Sequence, residues 1–342
     1  MSGFRQKLSR GLQFLLFLLI GLVLLYFAFR GIRFSAFLEE LIHARYAWVV
    51  VSLAFGLISH LLRAARWNLL IEPLGYRPGL KNTFLAVMTG YLANYAFPRI
   101  GEITRCAALN RKSKVPVGQL LGTVVAERAV DFLMLIILFF LVFFIKIHFF
   151  GSFIQETIFL PTYEGVREAY LSHPALWIVL ASLLLSSLAA LILFRHQILR
   201  IRGFSKIREV IRGVMTGIRS VFRMKKRGEF LLYTFLVWGM YFLMTWVVFF
   251  TIPATRSLGP ADGLFILVFG TIGMTLPVQG GIGTYHLLVS LGLSLYGIPR
   301  EDGLVYAIIS HESQTLLILI VGGISMFLVF FGKRRISQIN IS

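Results

Sequence analysis

The chain has 342 residues, of which 57% are hydrophobic and only 14% charged, and its formal net charge is +19. This composition excludes a soluble globular domain and a disordered chain, and it describes a polytopic, all-α membrane protein. One cysteine, Cys106, excludes an internal disulfide and any cysteine-built metal cage.

The first apolar run, GLQFLLFLLIGLVLLYFAF at 11–29, has the length of about 20 residues that a membrane-crossing helix needs. Arg5, Lys7 and Arg10 precede it as they would a signal peptide. Arg30 and Arg33, however, follow where a small-residue cleavage site would stand, so the run reads as an uncleaved anchor. Further runs lie at 46–62, 132–145, 174–194, 230–251 and 313–331. Two segments have a different character. NTFLAVMTGYLANYAFP at 82–98 is followed by the basic stretch RIGEITR, and two apolar pieces of about 14 residues flank LPVQGGIGTYH late in the chain. Each late piece covers roughly 21 Å as a helix, too short to span comfortably.

Charge distribution decides what these segments do. Residues 1–10, 63–81, 99–117, 195–229 and 332–342 carry +3, +3, +4, +9 and +3, whereas 30–45, 146–173, 252–262 and 297–303 carry +1, −1, 0 and −1. Basic short loops mark the cytoplasmic side. Topology therefore accounts for the +19, and no nucleic-acid partner is expected. If 82–98 crossed the membrane, the following +4 loop would face outward. The segment instead reads as half of a re-entrant hairpin (82–110) that turns near Asn94 and Pro98 and returns to the cytoplasmic side. The late pair (262–297) reads as a second hairpin, entering from outside.

The expected architecture is thus two inverted repeats. The first is 1–145, an external loop follows at 146–173, the second repeat is 174–331, and a basic cytoplasmic tail closes the chain at 332–342. Broken helices meeting near the midplane of inverted repeats are a transporter architecture. Within the second repeat, Ile201, Phe204, Ile207, Ile211, Val214, Ile218 and Val221 recur at helical spacing among arginines, which predicts an interfacial amphipathic helix at 198–224 facing anionic lipid.

Candidate site residues are the polar groups at membrane depth. Arg63 and Arg66 share a helix face, and Glu127 shares one with Asp131, with Arg128 beside them. Arg63 and Arg66 either snorkel to the interface or bind phosphate. The three charges at 127, 128 and 131 must face protein or water, and a salt bridge from Arg128 to Asp131 or Glu102 is the structural alternative to a ligand role. Arg99, Glu102 and Arg105 follow the break at Asn94 and Pro98. Arg99 and Arg105 either hold a lipid phosphate through forked hydrogen bonds or neutralise Glu102, Glu127 and Asp131. Gly280, Gly281 and Gly283 allow close backbone approach, and His286 can titrate. His311 and Glu312 open the last run, where a packing role outweighs metal ligation. No nucleotide motif is present, and neither cofactor nor metal is expected.

RAARW, YLANYAFPRIGEITR, VVAERAVD and LPVQGGIGTYH, in this order and spacing, resemble the family of flippase-like membrane proteins related to the transmembrane domain of lysylphosphatidylglycerol synthases. The resemblance covers nearly the whole chain and implies a lipid-translocating or lipid-handling role in the cytoplasmic membrane of a bacterium or archaeon and a fold with two re-entrant hairpins; the charge distribution puts both termini on the cytoplasmic side. Where the family's glycine loop often carries an acidic residue shortly after it, this chain has Thr284, Tyr285 and His286. No soluble segment here has the length an aminoacyl-transferase domain needs, so synthase activity is not expected. The reading is a flippase or transporter for an anionic, phosphate-bearing lipid or glycolipid, whose partners are membrane lipids, with a homo-oligomer or partner enzyme left open. The alternatives are an intramembrane transferase using the carboxylate cluster and a non-catalytic subunit that recruits a partner.

Overall fold

The computed structural model describes residues 2–147, 182, 215, 217, 219, 221 and 223–332, with side chains from residue 15 onward. Most of the apolar run at 174–194, of the amphipathic linker, of the basic tail and of 146–173 therefore lies outside the described residues. The chain divides into two compact units, Met1–Phe139 with Gly217–Ser342, and Phe140–Thr216. All contacts given below lie within the first.

Every regular element among the described residues is helical, as a bilayer requires of a chain that must satisfy its backbone internally. Helix α1 (Ser2–Phe29) stops before Gly31, whose φ of 81° turns the chain, and α2 (Phe34–His43) leaves at 93° to it. Among the described residues four helices are long and apolar enough to cross a membrane: α3 (Ala47–Ile71, prolonged by a 3-10 turn to Leu74), α6 (Val117–Ile145), α7 (Arg227–Val247, prolonged to Thr251) and α10 (Arg300–Phe331). Their outward residues are large and apolar, as at Val50, Phe132, Phe235, Ile320 and Phe327. In water such surface would be a liability; against lipid it is solvated.

Between these lie two pairs of shorter helices, α4 (Leu80–Ala96) with α5 (Gly101–Ser113), and α8 (Pro260–Thr275) with α9 (Thr284–Ser294). In the first pair Pro98 forces Phe97 into extended backbone and ends α4. Arg99 then adopts a left-handed φ of 65°, and Asn94 Oδ1 accepts the Gly101 N–H at 2.8 Å, satisfying a donor at the start of α5. A Cβ on Gly90 would stand 2.7 Å from the Gly101 carbonyl oxygen, so the two helices cross with backbone nearly touching. Small residues serve this purpose in membranes, where close packing replaces the hydrophobic drive. In the second pair Pro277 follows the end of α8, and Gly280, Gly281 and Gly283 all take positive φ. A Cβ on Gly283 would collide with the Gly21 carbonyl of α1, and one on Gly280 with the Tyr95 ring of α4. The two breaks therefore meet.

A buried apolar cluster locks the α3 C-terminal half to α4, α5 and α6 through Trp67, Leu70, Ile71, Leu85, Ala86, Cys106, Leu109, Leu120 and Val124. Charged loops segregate by end. Lys226 sits 2.9 Å from Glu72, which also holds Arg77, and the hydrogen bond to Glu72 keeps the Lys226 ammonium above its usual range. Arg111 donates to the Phe330 carbonyl at 2.8 Å and Lys112 to that of Gly332 at 3.0 Å, placing cations at the negative end of α10. At the opposite ends of α3 and α10 the near-neutral loops meet: Arg45 N–H donates to Thr251, Arg300 donates to Phe27, and Arg33 lies 3.5 Å from Glu301.

The last helix begins at Arg300 rather than at the apolar run from 313. Its first three turns bury Gly303, Leu304, Tyr306, Ala307 and Ile309 in protein instead of lipid, so hydropathy alone does not mark them. His311 and Glu312 consequently lie well inside the helix.

Candidate functional site

On α3, His60, Arg63 and Trp67 follow helical spacing, with Arg66 beside them, and all four are buried. Arg63 and Arg66 do not snorkel. They turn inward because α6 presents Glu127 and Asp131 one turn apart on the facing side. Glu127, at 0% exposure, accepts from Arg63 Nε at 2.9 Å and from Arg105 Nη1 at 3.1 Å, with Arg66 at 3.5 Å. Asp131 accepts from Arg66 Nη2 at 3.0 Å and from Arg63 Nη2 at 3.3 Å. Arg66 also reaches Thr234 Oγ1 and Arg63 the Tyr241 hydroxyl, both at 3.2 Å, which joins α7 to the network. Arg105 lies over the Trp67 ring at 4.6 Å, and Trp67 donates to Thr123 at 2.8 Å. Nearer the surface Arg128 pairs with Glu102 at 2.8 Å, one of the two partners its sequence position allowed.

Four arginines thus face three carboxylates, and with Arg99 nearby the surplus is cationic. Arg99 is the exception in its partner. Its Nη2 donates to the Thr275 carbonyl at 3.4 Å, across the gap between the two breaks, and not to Glu102, Glu127 or Asp131. A left-handed φ on a non-glycine residue is a cost of about 1 kcal/mol or more held by its surroundings.

Beside this network lies a cavity of about 740 Å³, within the ~300–1,000 Å³ of small-ligand sites. Arg63, Asn94, Arg99, Glu102, Arg128 and Asp131 supply its polar lining from α3 to α6. Trp238, Met244, Ile266, Leu267, Met274 and Ile318 supply an apolar wall from α7, α8 and α10. Gly280 and Gly281 also line it. Arg66, Arg105 and Glu127 are not lining residues but hold the ones that are. Gly283 and His286 are likewise outside the lining: Gly283 donates its N–H to His286 Nδ1 at 3.3 Å, and His286 faces Glu312. Asn94 has a structural hydrogen bond as well as its place in the cavity.

The sequence did not single out Tyr91, Tyr95, Trp238, Tyr241 or Gln314, all of which line the cavity. In a chain that is 14% aromatic no one ring stands out. A polar Gln314 inside an apolar run was the one available signal; it donates to Ser52 of α3 at 3.3 Å.

The comparisons agree with this membrane architecture. Residues 14–322 match the family model described as the lysylphosphatidylglycerol synthase TM region. The chain is 24% identical over 327 residues to the UPF0104 membrane protein MJ1595 of Methanocaldococcus jannaschii, an alignment covering 88% of this chain and 89% of the relative. No solved structure matches it. The chain belongs to the lysylphosphatidylglycerol synthase TM-region family of membrane proteins.

Proposed function

We propose that the protein moves an anionic, phosphate-bearing lipid between the leaflets of a bacterial or archaeal cytoplasmic membrane, with its basic ends cytoplasmic. In this reading α4–α5 and α8–α9 are re-entrant hairpins of two inverted halves, and the cavity between their breaks takes the headgroup. The observation that carries the proposal is the lining itself: three arginines against two carboxylates, opposite an apolar wall suited to acyl chains. Arg99, held in strained backbone without a carboxylate partner, is the donor best placed to meet a phosphate, for which its planar fork is suited. Glu127 and Asp131 are each held by arginines, which favours a role in positioning Arg63 over one as general base in a transferase.

The test is the movement of fluorescent NBD-phosphatidylglycerol in proteoliposomes, with thermal stability measured alongside. Arg99→Gly suits the positive φ, so stability should hold or rise, while transport should fall by roughly tenfold, the loss of one charge-assisted hydrogen bond. Arg99→Lys keeps the charge without the fork and should fall between the two. A stable Arg99→Gly protein that transports at the wild-type rate would remove Arg99 from the site.

A further inference from the structure

His286, His311 and Glu312 come from α9 and α10, and the donor atoms they offer lie within 4.8 Å of one another. Hydrogen-bond accounting fixes where the protons sit. The Gly283 N–H donates to His286 Nδ1 at 3.3 Å, so the proton of that ring is on Nε2, which donates to Glu312 Oε1 at 3.3 Å. His311 Nε2 faces the Gly280 carbonyl at 2.8 Å. A carbonyl only accepts, so Nε2 carries a proton. His311 Nδ1 then stands 2.9 Å from Glu312 Oε1. A neutral ring with its proton on Nε2 would set a lone pair against a carboxylate. The contact is a hydrogen bond only when one further proton lies between Nδ1 and Oε1.

We propose that Glu312 and His311, positioned by His286 and the Gly280 carbonyl, form a proton-binding site that couples movement of the anionic lipid to movement of a proton. The inference rests on the transport reading above for its cargo, but proton binding stands or falls by itself. The cluster is placed for coupling because His311 lines the cavity, whereas Glu312, which does not, keeps 47% of its side chain exposed. It therefore has one member in the cavity lining and another exposed outside that lining. Its carbonyl ligand, Gly280, belongs to the break that also meets Tyr95 of α4. Losing the shared proton would leave lone pair against carboxylate, and the relief available is movement of that glycine loop against the cavity.

The titratable and charged groups facing the cluster from the packed elements are few. Tyr285 of α9 lies with its ring 5.0 Å from His311 and bonds to Ser310. Tyr95 of α4 contacts Thr315 at 3.0 Å, and Thr315 donates to the His311 carbonyl. Of the lining cations, Arg99 is the one that donates to the Thr275 carbonyl, near the break that carries Gly280. A metal fits less well, since the lone pair of His286 is already used by Gly283 and its outward nitrogen carries a proton. An ionisable pair inside a helix at membrane depth is otherwise expensive and is kept for a use.

Two measurements test the proposal. Infrared difference spectra of the purified full-length protein recorded across a pH titration should show one proton taken up on acidification, with a carboxyl or imidazolium signal that disappears in Glu312→Gln. In proteoliposomes, a gradient of one pH unit should bias the steady-state distribution of NBD-phosphatidylglycerol between leaflets by up to about tenfold for one proton per lipid. In Glu312→Gln and His311→Gln that bias should vanish. Proton uptake without any lipid movement in the wild type would leave the proton site standing and overturn the transport reading. Lipid movement that ignores the gradient equally in wild type and Glu312→Gln would overturn the coupling and leave transport intact. Absence of the titration, or a stoichiometric divalent metal in the purified protein, would overturn the proton site.

Discussion

Glu127→Gln removes the charge on which the buried network converges while keeping the shape of the side chain. In the folded protein Arg63 and Arg66 would then keep only the partly buried Asp131, Arg105 would lose the carboxylate it now pairs with, and the hydrogen bonds that Glu127 accepts from Arg63 and Arg105 would fall on an amide. Breaking one partner of a buried ion pair typically costs about 3 to 5 kcal/mol, because the opposite charge is left uncompensated. The matched comparison is Glu102→Gln. The Glu102–Arg128 pair has a similar distance of 2.8 Å, but its side chains are 26% and 43% exposed, and such pairs are worth at most about 1 kcal/mol. Cys106 supplies the assay. It is the chain's one cysteine and is buried in the core cluster, so a thiol-reactive dye in detergent reports unfolding directly. Glu127→Gln should lower the midpoint by on the order of 10 °C, and Glu102→Gln by a few degrees at most. Equal shifts for the two variants would refute the distinction between clamp and surface pair.

With Cys106→Ala as background, a cysteine at Lys114 should be protected from a membrane-impermeant thiol reagent in intact cells. One at the exposed Ser257 should react; the reverse pattern would invert the assigned orientation. Gly283→Ala forces a side chain into positive φ and against the Gly21 carbonyl, so yield and melting point should fall sharply. Gly118→Ala, helical and with nothing within 4 Å, should be neutral or gain about 0.5 to 1 kcal/mol, read as a small rise in midpoint. If Gly283→Ala behaves like Gly118→Ala, the contact between α1 and the glycine loop is not required.

Much of the local order was legible because it depends on single residues or on helical spacing. Pro98 and the glycines at 280, 281 and 283 mark the two breaks, and the intervals 63 to 66 and 127 to 131 place those pairs on common faces. What joins the faces was not legible. Arg63 and Glu127 are 64 residues apart, and no spacing rule connects them. The sequence left Arg99 and Arg105 as equivalent candidates, yet tertiary packing gives them different fates. Arg105 falls on the inner face of α5, over Trp67, while Arg99 is caught in the turn itself. His286 and Glu312 escaped as a pair for the same reason. The polar, protein-packed start of α10 also hid how deep His311 and Glu312 lie, because an apolar run reports contact with lipid and not the extent of the helix.

The central claim is that lipid passes by way of the cavity between the two breaks. Its most direct test compares wild type with Thr271→Trp, which places an indole in the lining from α8, for movement of NBD-phosphatidylglycerol across the bilayer of proteoliposomes. Wild-type protein should move the lipid well above protein-free vesicles, and Thr271→Trp should bring the rate back toward that background while keeping its melting point. A wild-type rate no higher than protein-free vesicles, or a folded Thr271→Trp protein as fast as wild type, would contradict the account.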